Sequence, residues 1–368
     1  MLGSFQRLFF YGGLKKKKTT IAIMISASHN SYFDNGIKVF DVATGKINEH
    51  DEHQITELYN ATYSCLDDVI FKRSYRHTFP LCNDWKDFYK KWIQKIIPYN
   101  TLCESKIVID AANGAMSEMA VDVFRLFVSD VVVINAKPNG KNINAGCGAM
   151  YPEKLAEIVI KEKALLGFAF DGDGDRVIAV DYHGHIRDGD EMLYLLLQHP
   201  DFYNQKIIVG TIMSNVGFEQ ALQSEGKQLV RTPVGDKHVA HAMKKHASLI
   251  GGEASGHIIL KPYISTGDGL FVAIKVFETI INKYANFDDS FTRFIQINKS
   301  LPISSRIPIE ELNCYQELQA LHQEITPGRM IVRYSGTEEI IRITTEHEDE
   351  AIAEAINKQI VSLLANAY

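Results

Sequence analysis

The sequence predicts a multidomain α/β protein, and three observations lead to that fold class. At 368 residues the chain is too long for a single hydrophobic core, which suggests roughly two to four domains. From Lys106 onward, apolar strand-like segments alternate with glycine-containing loops and amphipathic helices, as they do in parallel sheets with crossover helices. The last segment, from about Pro302, differs, because two strand-like runs flank a Ser335-Gly336-Thr337 turn and precede one amphipathic helix.

The first element is an apolar run at residues 21–25, followed by a polar loop that holds Ser28, His29 and Asn30. We expect the run to be a buried strand that presents Ser28 at its carboxyl end, where open α/β sheets place their ligands. Lys38 follows and could bring a cation back toward the serine. The ordinary alternative is turn chemistry, in which such side chains bond the local backbone, and the loop alone does not decide between the two.

Hydrophobic periodicity predicts the remaining elements in order. Helices are predicted over 51–66 and 83–97, and Pro98 then marks a predicted domain boundary. The next segments are strand 106–110, helix 118–127, strand 130–135, helix 152–162, strand 165–170 and a hairpin of 175–181 with 185–187 that turns at Gly184. They are followed by helix 190–198, strand 205–212, helix 217–225, strand 228–234, helix 238–245, strand 248–253, helix 268–283, strands 329–335 and 338–346, and helix 350–365.

Charge and cysteine content narrow the classes of function. The formal net charge of -6 at pH 7 argues against a general nucleic-acid binder, because affinity for the phosphate backbone comes mainly from Lys and Arg. Five cysteines, odd in number and without a C-x-x-C pair, indicate neither a disulfide framework nor a zinc site, so we expect a reducing, cytoplasmic environment. No apolar run reaches the roughly 20 residues that a membrane helix needs, so we expect no membrane partner.

The strongest single motif is Asp171-Gly-Asp-Gly-Asp-Arg176, which directly follows an apolar strand-like run. The carboxylates of Asp171, Asp173 and Asp175 project to one side of an extended segment, and the intervening glycines let the backbone curl until all three face one point. Hard anionic oxygens suit Mg²⁺, which keeps further positions for water or phosphate oxygens. A calcium-binding EF-hand does not fit this segment, because that motif requires glycine at the position of Arg176 and glutamate at the position of Tyr182. A solvated acidic turn stays the weaker alternative, because three like charges are costly to gather without a cation.

A second glycine loop carries Glu253, Ser255 and His257. A carboxylate beside a hydroxyl is suited to recognising the hydroxyls of a sugar ring, and a histidine can shuttle a proton near neutral pH. An ordinary turn between two elements explains the same residues nearly as well.

Two further loops contain residue types that bind phosphate. Around Gly336, successive N–H groups can form an anion-binding nest, with hydroxyl donors at Ser335 and Thr337 and a guanidinium fork at Arg333. An ordinary hairpin turn with polar side chains that bind no anion explains that loop, taken alone, equally well. Lys237 lies where a predicted helix begins, and helix N-termini favour anions.

Taken in order, the segments ISASHN, DGDGDR, GGEASGH and RYSGTE resemble the four active-site loops of the α-D-phosphohexomutase family. The resemblance implies three α/β domains, the first of them incomplete, and a smaller α+β C-terminal domain around a central cleft. The predicted domain ranges are 1–98, 99–187, 188–299 and 300–368. Connecting segments such as VGTIMSN and VGDKHV are most similar to the branch that interconverts glucosamine 6-phosphate and glucosamine 1-phosphate through a phosphoserine enzyme.

The resemblance also implies a role for each candidate residue. The implied metal ligands, which would hold one Mg²⁺ per chain, are Ser28, Asp171, Asp173 and Asp175. The implied catalytic residues are Ser28, Lys38, His257 and Arg176. The implied substrate-binding residues are Lys237, Glu253, Ser255, Arg333, Ser335, Gly336, Thr337 and Arg342. In this scheme Ser28 carries the phosphoryl group, Lys38 and His257 are the candidates for proton transfer, and the partners are a phosphosugar and a hexosamine 1,6-bisphosphate activator, with no nucleic acid and no membrane.

Departures from the family pattern leave alternatives open. Ser31 and Glu339 stand where the family usually has proline, and both changes are tolerable in loops. The Gly-Thr-Asp-Gly-Ile-Arg segment that begins the family's first domain has no match before Ser28, so we expect a first sheet that lacks strands and exposes an edge and part of its core. The other hypotheses are a phosphomannomutase or phosphoglucomutase, a truncated sugar-phosphate binder without catalysis, and a haloacid-dehalogenase-like phosphatase, which would want Thr or Val at Asp175.

Overall fold

The structure is a computed structural model that describes residues 21–41, 45–47, 49–63, 84–97, 103–335 and 339–368. Within these ranges the strands form four sheets, with ten α-helices around them. The strands are β1 (Ile21–Ile25), β2 (Ile37–Asp41), β3 (Gly45–Lys46), β4 (Cys103–Asp110), β5 (Val128–Ile134), β6 (Leu166–Phe170), β7 (Val177–Asp181), β8 (Ile186–Arg187), β9 (Ile207–Thr211), β10 (Gln228–Thr232), β11 (Ile250–Gly252), β12 (Ile258–Leu260), β13 (Ile295–Pro302), β14 (Arg329–Tyr334) and β15 (Ile340–His347). The helices are α1 (Glu49–Tyr63), α2 (Asp84–Ile96), α3 (Met116–Phe124), α4 (Glu153–Glu162), α5 (Gly189–Leu196), α6 (Val216–Ser224), α7 (Asp236–Lys245), α8 (Gly269–Ile281), α9 (Tyr315–Glu324) and α10 (Glu350–Ala367). None of the helices in the described part of the chain is long and apolar enough to cross a membrane.

The first sheet is a three-stranded antiparallel ribbon in the order β1-β2-β3. In β1 the side chain of Met24 is buried, whereas Ile21, Ile23 and Ile25 are each more than half exposed. The prediction of a buried strand is therefore wrong: neighbouring strand residues face opposite sides, and the described chain covers only the side of Met24.

The second sheet has the order β5-β4-β6-β7-β8, with β4, β5 and β6 parallel and β7 and β8 antiparallel. Every residue of β6 and β7 is buried, because helices cover both faces of these strands. On one face Phe168 stacks on Phe124 of α3, with 5.3 Å between ring centroids. On the other face Ala169 packs in a core with Leu155 of α4. The carboxyl ends of β4 and β6 lie side by side, so the loop that begins at Asp171 leaves the sheet at this shared edge.

The third sheet, in the order β10-β9-β11-β12, shares one core with the second sheet. Helix α8 belongs to that core: its Phe277 meets Phe124 edge to face, with centroids 6.1 Å apart. Helix α2 packs on the same core through Tyr89 and Ile93, which are four residues apart and so lie on one helical face. The Tyr89 hydroxyl donates to Asp268, the N-cap residue of α8, at 3.2 Å.

The fourth sheet, in the order β13-β15-β14, is antiparallel and has its own core. That core includes Leu318 of α9 together with Ile356 and Ile360 of α10. Neither β13 nor α9 is among the predicted elements. Strand β13 also runs across the predicted boundary at 299–300, and the domain boundaries stay predictions.

Glu346 and Arg329 join the fourth sheet to the third. Glu346 in β15 is fully buried; it accepts from Arg329 Nε at 2.6 Å and from the backbone N–H of Val216, the first residue of α6, at 2.7 Å. Arg329 also donates to the carbonyl of Ser214. A carboxylate at a helix N-terminus satisfies N–H groups that have no partner within the helix, so this contact stabilises both elements.

We expect Glu346→Gln to lower the free energy of unfolding of the fourth-sheet region by about 3 kcal/mol, because it leaves the Arg329 guanidinium uncompensated in a buried place. The glutamine can still accept a hydrogen bond from the N–H of Val216, so the decrease in stability measures the contribution of the negative charge of Glu346. Urea unfolding followed by circular dichroism measures it. Glu354→Gln is the matched control, because Glu354 pairs with Lys358 at 2.9 Å on the exposed surface and its loss should leave the urea midpoint unchanged. Equal losses in the two variants would contradict the prediction.

Candidate active site

The loop that carries Ser28 is closed by contacts of its own backbone. The N–H of Ser26 donates to the carbonyl of Gly36 at 2.9 Å, just beyond the pairing of β1 with β2. A Cβ on Gly36 would lie 2.3 Å from the Ser26 carbonyl oxygen, so this close approach needs glycine. Ser28 itself has φ +53°, a left-handed conformation that residues other than glycine rarely adopt. Such a backbone persists only where neighbouring contacts hold it.

The loop after β6 gathers three carboxylates into one buried group, as predicted. Asp171, Asp173 and Asp175 are buried, and one oxygen of each lies within 4.8 Å of the others. Gly174 has φ +73°, which lets the chain curl between the second and third of these residues.

Side chains from the ribbon reach this carboxylate group. The hydroxyl of Ser28 donates to Asp171 Oδ2 at 2.8 Å. The hydroxyl of Ser26 donates to Asp173 Oδ2 at 2.8 Å, and Lys38 Nζ donates to the same oxygen at 2.7 Å. The two loops are therefore one site, although they are far apart in the sequence.

Burial and mutual repulsion disfavour the negative charges of this group. Burial raises the pKa of Asp171 well above its usual value, and the charges of Asp175 and Asp173 raise it further. The charge of Arg176 and the hydrogen bond from Ser28 oppose that rise. A divalent cation would offset the repulsion, and three hard carboxylate oxygens are ligands that Mg²⁺ takes, so the residues present fit such an ion.

Basic side chains surround the carboxylates. Lys38 Nζ lies 3.4 Å from Asp175 Oδ2, and His257 Nδ1 lies 3.7 Å from Asp175 Oδ1. Arg176 directly follows Asp175 in the chain. The two candidates for proton transfer differ in exposure: 19% of the Lys38 side chain is exposed, against 3% for His257. A Cβ on Gly267 would lie 2.4 Å from His257 Nε2, so the histidine ring is packed against the main chain.

The loop between β11 and β12 carries Glu253 and Ser255. Glu253 is buried, and its Oε1 accepts from the N–H of Gly235 at 2.9 Å. This contact ties the loop to the segment that carries Lys237. Ser255 and Lys237 are exposed, and Lys237 Nζ lies 3.9 Å from Glu52 Oε2 of α1. The two loops predicted to contact the sugar therefore meet each other through Glu253.

The fourth sheet carries Arg333, Ser335 and Arg342. Arg333 and Arg342 are opposite each other in the pairing of β14 with β15, and burial together with the Arg342 charge lowers the pKa of Arg333. Ser335 is buried, and its carbonyl accepts from Arg306 Nη2 at 2.8 Å. Guanidinium groups gathered in this way suit a phosphate. The other residues predicted for this loop, which lie outside the described ranges, are Gly336 and Thr337.

Three residues of the site are not among the sequence-predicted ones: Ser26, Asn144 and Arg306. Asn144 Nδ2 donates to the carbonyl of Ser28 at 2.9 Å and to that of Asn30 at 2.8 Å. Ser26 precedes Ser28 by two residues in the same loop, and that proximity is a signal that could have found it. Asn144 has no such signal, because its partners are more than a hundred residues away along the chain.

A serine hydroxyl held 2.8 Å from a carboxylate group that fits a divalent cation, on a chain of several sheets, defines a class: the multidomain phosphotransferases. Models of one family match the chain in four consecutive segments. The matches are phosphoglucomutase/phosphomannomutase α/β/α domain I over 10–64, domain II over 87–184, domain III over 188–296 and the C-terminal domain over 311–363. The chain belongs to the phosphoglucomutase/phosphomannomutase family, the α-D-phosphohexomutases.

Individual relatives agree with this assignment. The chain is 38% identical over 347 residues to the phosphoglucosamine mutase of Campylobacter curvus, and the alignment covers 90% of this chain and 76% of the relative. It is 35% identical over 361 residues to the phosphoglucosamine mutase of Fusobacterium nucleatum, with 95% and 79% covered. The fold matches that of Aspergillus fumigatus N-acetylphosphoglucosamine mutase, solved in complex with GlcNAc-6P and magnesium, with a TM-score of 0.71, 17% identity, and 99% and 92% covered. The predicted family, the four-domain fold class and the enzyme class of phosphotransferring isomerases are confirmed.

We expect Asp173→Asn to weaken Mg²⁺ binding by at least ~10-fold, because it removes one of the three candidate anionic ligands. Loss of a residue that only contacts a metal ligand already costs about this much, and loss of a ligand should cost more. Calorimetric titration of the protein with MgCl₂ measures the affinity. Asp34→Asn is the matched control, because Asp34 is an exposed carboxylate in the Ser28 loop, and its loss should leave Mg²⁺ affinity unchanged. Wild-type affinity in Asp173→Asn would mean that the cation binds elsewhere.

Proposed function

We propose that this protein is a phosphoglucosamine mutase, which interconverts glucosamine 6-phosphate and glucosamine 1-phosphate through phosphorylated Ser28 and a 1,6-bisphosphate intermediate. The observation that carries the proposal is the hydrogen bond of 2.8 Å from Ser28 Oγ to Asp171. It puts the hydroxyl that would carry the phosphoryl group beside the carboxylates that would hold the cation. The choice of sugar is supported by relatives that are named phosphoglucosamine mutase and are 35% or more identical to this chain.

In this reaction the phosphoserine gives its phosphoryl group to the free hydroxyl of a bound phosphosugar. The bond from Ser28 Oγ to phosphorus breaks while the bond from the sugar oxygen to phosphorus forms. The sugar hydroxyl loses its proton to a base, and the Ser28 oxygen takes a proton from an acid. The bisphosphate then turns over in the cleft, and its other phosphoryl group returns to Ser28. The transition state spreads negative charge over the phosphoryl oxygens, so positioning and electrostatics supply most of the catalysis.

The carboxylate group and its neighbours each have a proposed role. One Mg²⁺, held by Ser28, Asp171, Asp173 and Asp175, would stabilise the charge on the transferring phosphoryl oxygens when bound. The hydrogen bond that the Ser28 hydroxyl donates to Asp171 orients that hydroxyl. Arg176 adds a positive charge next to Asp171 for contact with the substrate.

Lys38 is the better placed of the two residues proposed for proton transfer. Its ammonium group is partly exposed and lies 2.7 Å from Asp173, so in this proposal it gives a proton to the oxygen that leaves phosphorus. The His257 ring is almost completely buried and faces Asp175, which suits it to orienting that carboxylate.

Substrate recognition is proposed for the other two loops. Glu253 and Ser255 would contact the sugar hydroxyls, and Lys237 would approach the substrate from the adjoining helix N-terminus. The phosphate that is not being transferred would bind at the fourth sheet. The residues proposed for that phosphate are Arg333, Ser335, Gly336, Thr337 and Arg342.

A hexosamine 1,6-bisphosphate is the proposed activator, because it is the intermediate itself and can phosphorylate an unmodified Ser28. A related Aspergillus fumigatus structure was solved in complex with glucose 1,6-bisphosphate. The cytoplasmic location stays a prediction from the cysteine content.

Ser28→Ala should abolish turnover, and the wild-type protein, but not Ser28→Ala, should gain the ~80 Da of a phosphoryl group after incubation with glucose 1,6-bisphosphate. Intact-mass spectrometry measures the increment. Ser31→Ala, an exposed serine of the same loop, is the matched control and should be phosphorylated like the wild type. A wild-type protein that stays unphosphorylated but binds sugar phosphate in calorimetry would support the non-catalytic alternative, and net release of phosphate would support the phosphatase.

The sugar preference is tested separately. We expect kcat/KM for glucosamine 1-phosphate to exceed those for mannose 1-phosphate and glucose 1-phosphate by roughly 10-fold or more, because a site that hydrogen-bonds one substituent rejects analogues that lack it. Coupled assays of each 6-phosphate product measure the three values. A higher value for mannose or glucose would assign the chain to the corresponding mutase.

A further inference from the structure

The main chain of Ser28 is held at both of its polar groups by side chains. Its N–H donates to the hydroxyl of Ser26 at 3.0 Å, and that hydroxyl donates in turn to Asp173. Its carbonyl accepts from Asn144 Nδ2 at 2.9 Å, and the same nitrogen reaches the carbonyl of Asn30 at 2.8 Å. The amide of Asn144 therefore spans the turn that carries the reactive hydroxyl.

This role differs from that of the other asparagines in the loop between β5 and α4. Asn142 Nδ2 donates to the carbonyl of Lys137 at 3.0 Å, and its Oδ1 accepts from the N–H of Asn139 at 2.9 Å. Asn139 Oδ1 in turn accepts from the N–H of Lys141. These are local contacts that shape the loop itself, as asparagine side chains ordinarily do. The side chain of Asn144 instead leaves its own loop and bonds a segment 116 residues away.

Asn144 is itself attached to the edge of the second sheet. Its N–H donates to the carbonyl of Ala112, directly after β4, at 3.0 Å, and its side chain is buried. The same turn holds the carboxylate loop, which carries Asp171, Asp173 and Asp175, because the N–H of Ala115 donates to the carbonyl of Gly172 at 2.9 Å. A Cβ on Gly172 would lie 2.7 Å from Asn144 Nδ2, so the amide is closely confined. The Ser28 loop and the carboxylate loop thus share one rigid support.

We propose that Asn144 is a positioning residue for phosphoryl transfer, whose amide fixes the left-handed Ser28 backbone so that Oγ stays against Asp171. This inference rests on the proposed mutase function. In-line transfer requires the oxygen to be aligned with phosphorus, and a displacement of about 1 Å can cost on the order of 10²-fold in rate. The amide donates to two main-chain carbonyls of the Ser28 loop, so its loss should act on the chemical step.

Two variants test the role. Asn144→Gly removes the amide and keeps the φ of +58° that this position has, which glycine adopts freely. Asn144→Asp keeps the size of the side chain but replaces the donating nitrogen by an oxygen, which cannot donate to the carbonyls of Ser28 and Asn30. In both variants we expect kcat, and the single-turnover rate of Ser28 phosphorylation by glucose 1,6-bisphosphate, to fall by about 10- to 100-fold, with KM for glucosamine 1-phosphate within about twofold of wild type.

Asn142→Ala is the matched control, because it removes an amide from the same loop without touching Ser28, and it should keep wild-type kinetics. The ³¹P resonance of phosphorylated Ser28 gives an independent readout: it should shift in the Asn144 variants and stay in place in Asn142→Ala. Wild-type kcat with a raised KM, or a wild-type phosphorylation rate in either folded Asn144 variant, would overturn the proposal. If the wild-type protein interconverts no phosphosugar, the mutase function itself fails, and that result is seen before any Asn144 variant is compared.

Discussion

Three buried carboxylates within 4.8 Å of one another are the constraint on which the rest of the site depends. Like charges in a buried place repel strongly, so every element that approaches them must bring a hydrogen-bond donor or a positive charge. Lys38 and Ser28 come from the ribbon, and Arg176 comes from the same loop as the carboxylates. A divalent cation would supply the remaining counter-charge, and together with Lys38 and Arg176 it would attract the anionic phosphoryl group to this place.

Close approach of main chains makes this arrangement possible. A Cβ on Gly114 would lie 2.3 Å from the carbonyl oxygen of Gly172, and a Cβ on Gly172 would lie 2.7 Å from that of Ser28. Three loops therefore stack backbone against backbone at the carboxyl edge of the second sheet. Because any side chain at these glycines would separate the loops, the distance from Ser28 to Asp171 depends on residues that perform no chemistry.

Local sequence patterns predicted the fold best where burial is complete and periodic. Strands β6 and β7 and helix α8 were placed within a few residues, because both faces of these strands, and a wide stripe of this helix, must be apolar. Strand β13 was missed, because most of its residues are partly or fully exposed and its pattern is mixed. Strand β1 was found, but its burial was predicted wrongly, because an apolar run does not reveal whether one or two of its faces will be covered.

By itself, the sequence determined which chemistry was available: the Asp171 to Arg176 motif, the serine loop and the order of the elements between them. These are local properties, set by glycine conformations, side-chain alternation and helical periodicity. Only the tertiary structure decided that Ser28 meets Asp171 across 143 residues and that Asn144 supports Ser28 across 116. Such contacts depend on how separate sheets pack and on which buried polar groups then need partners, and no local pattern contains that information.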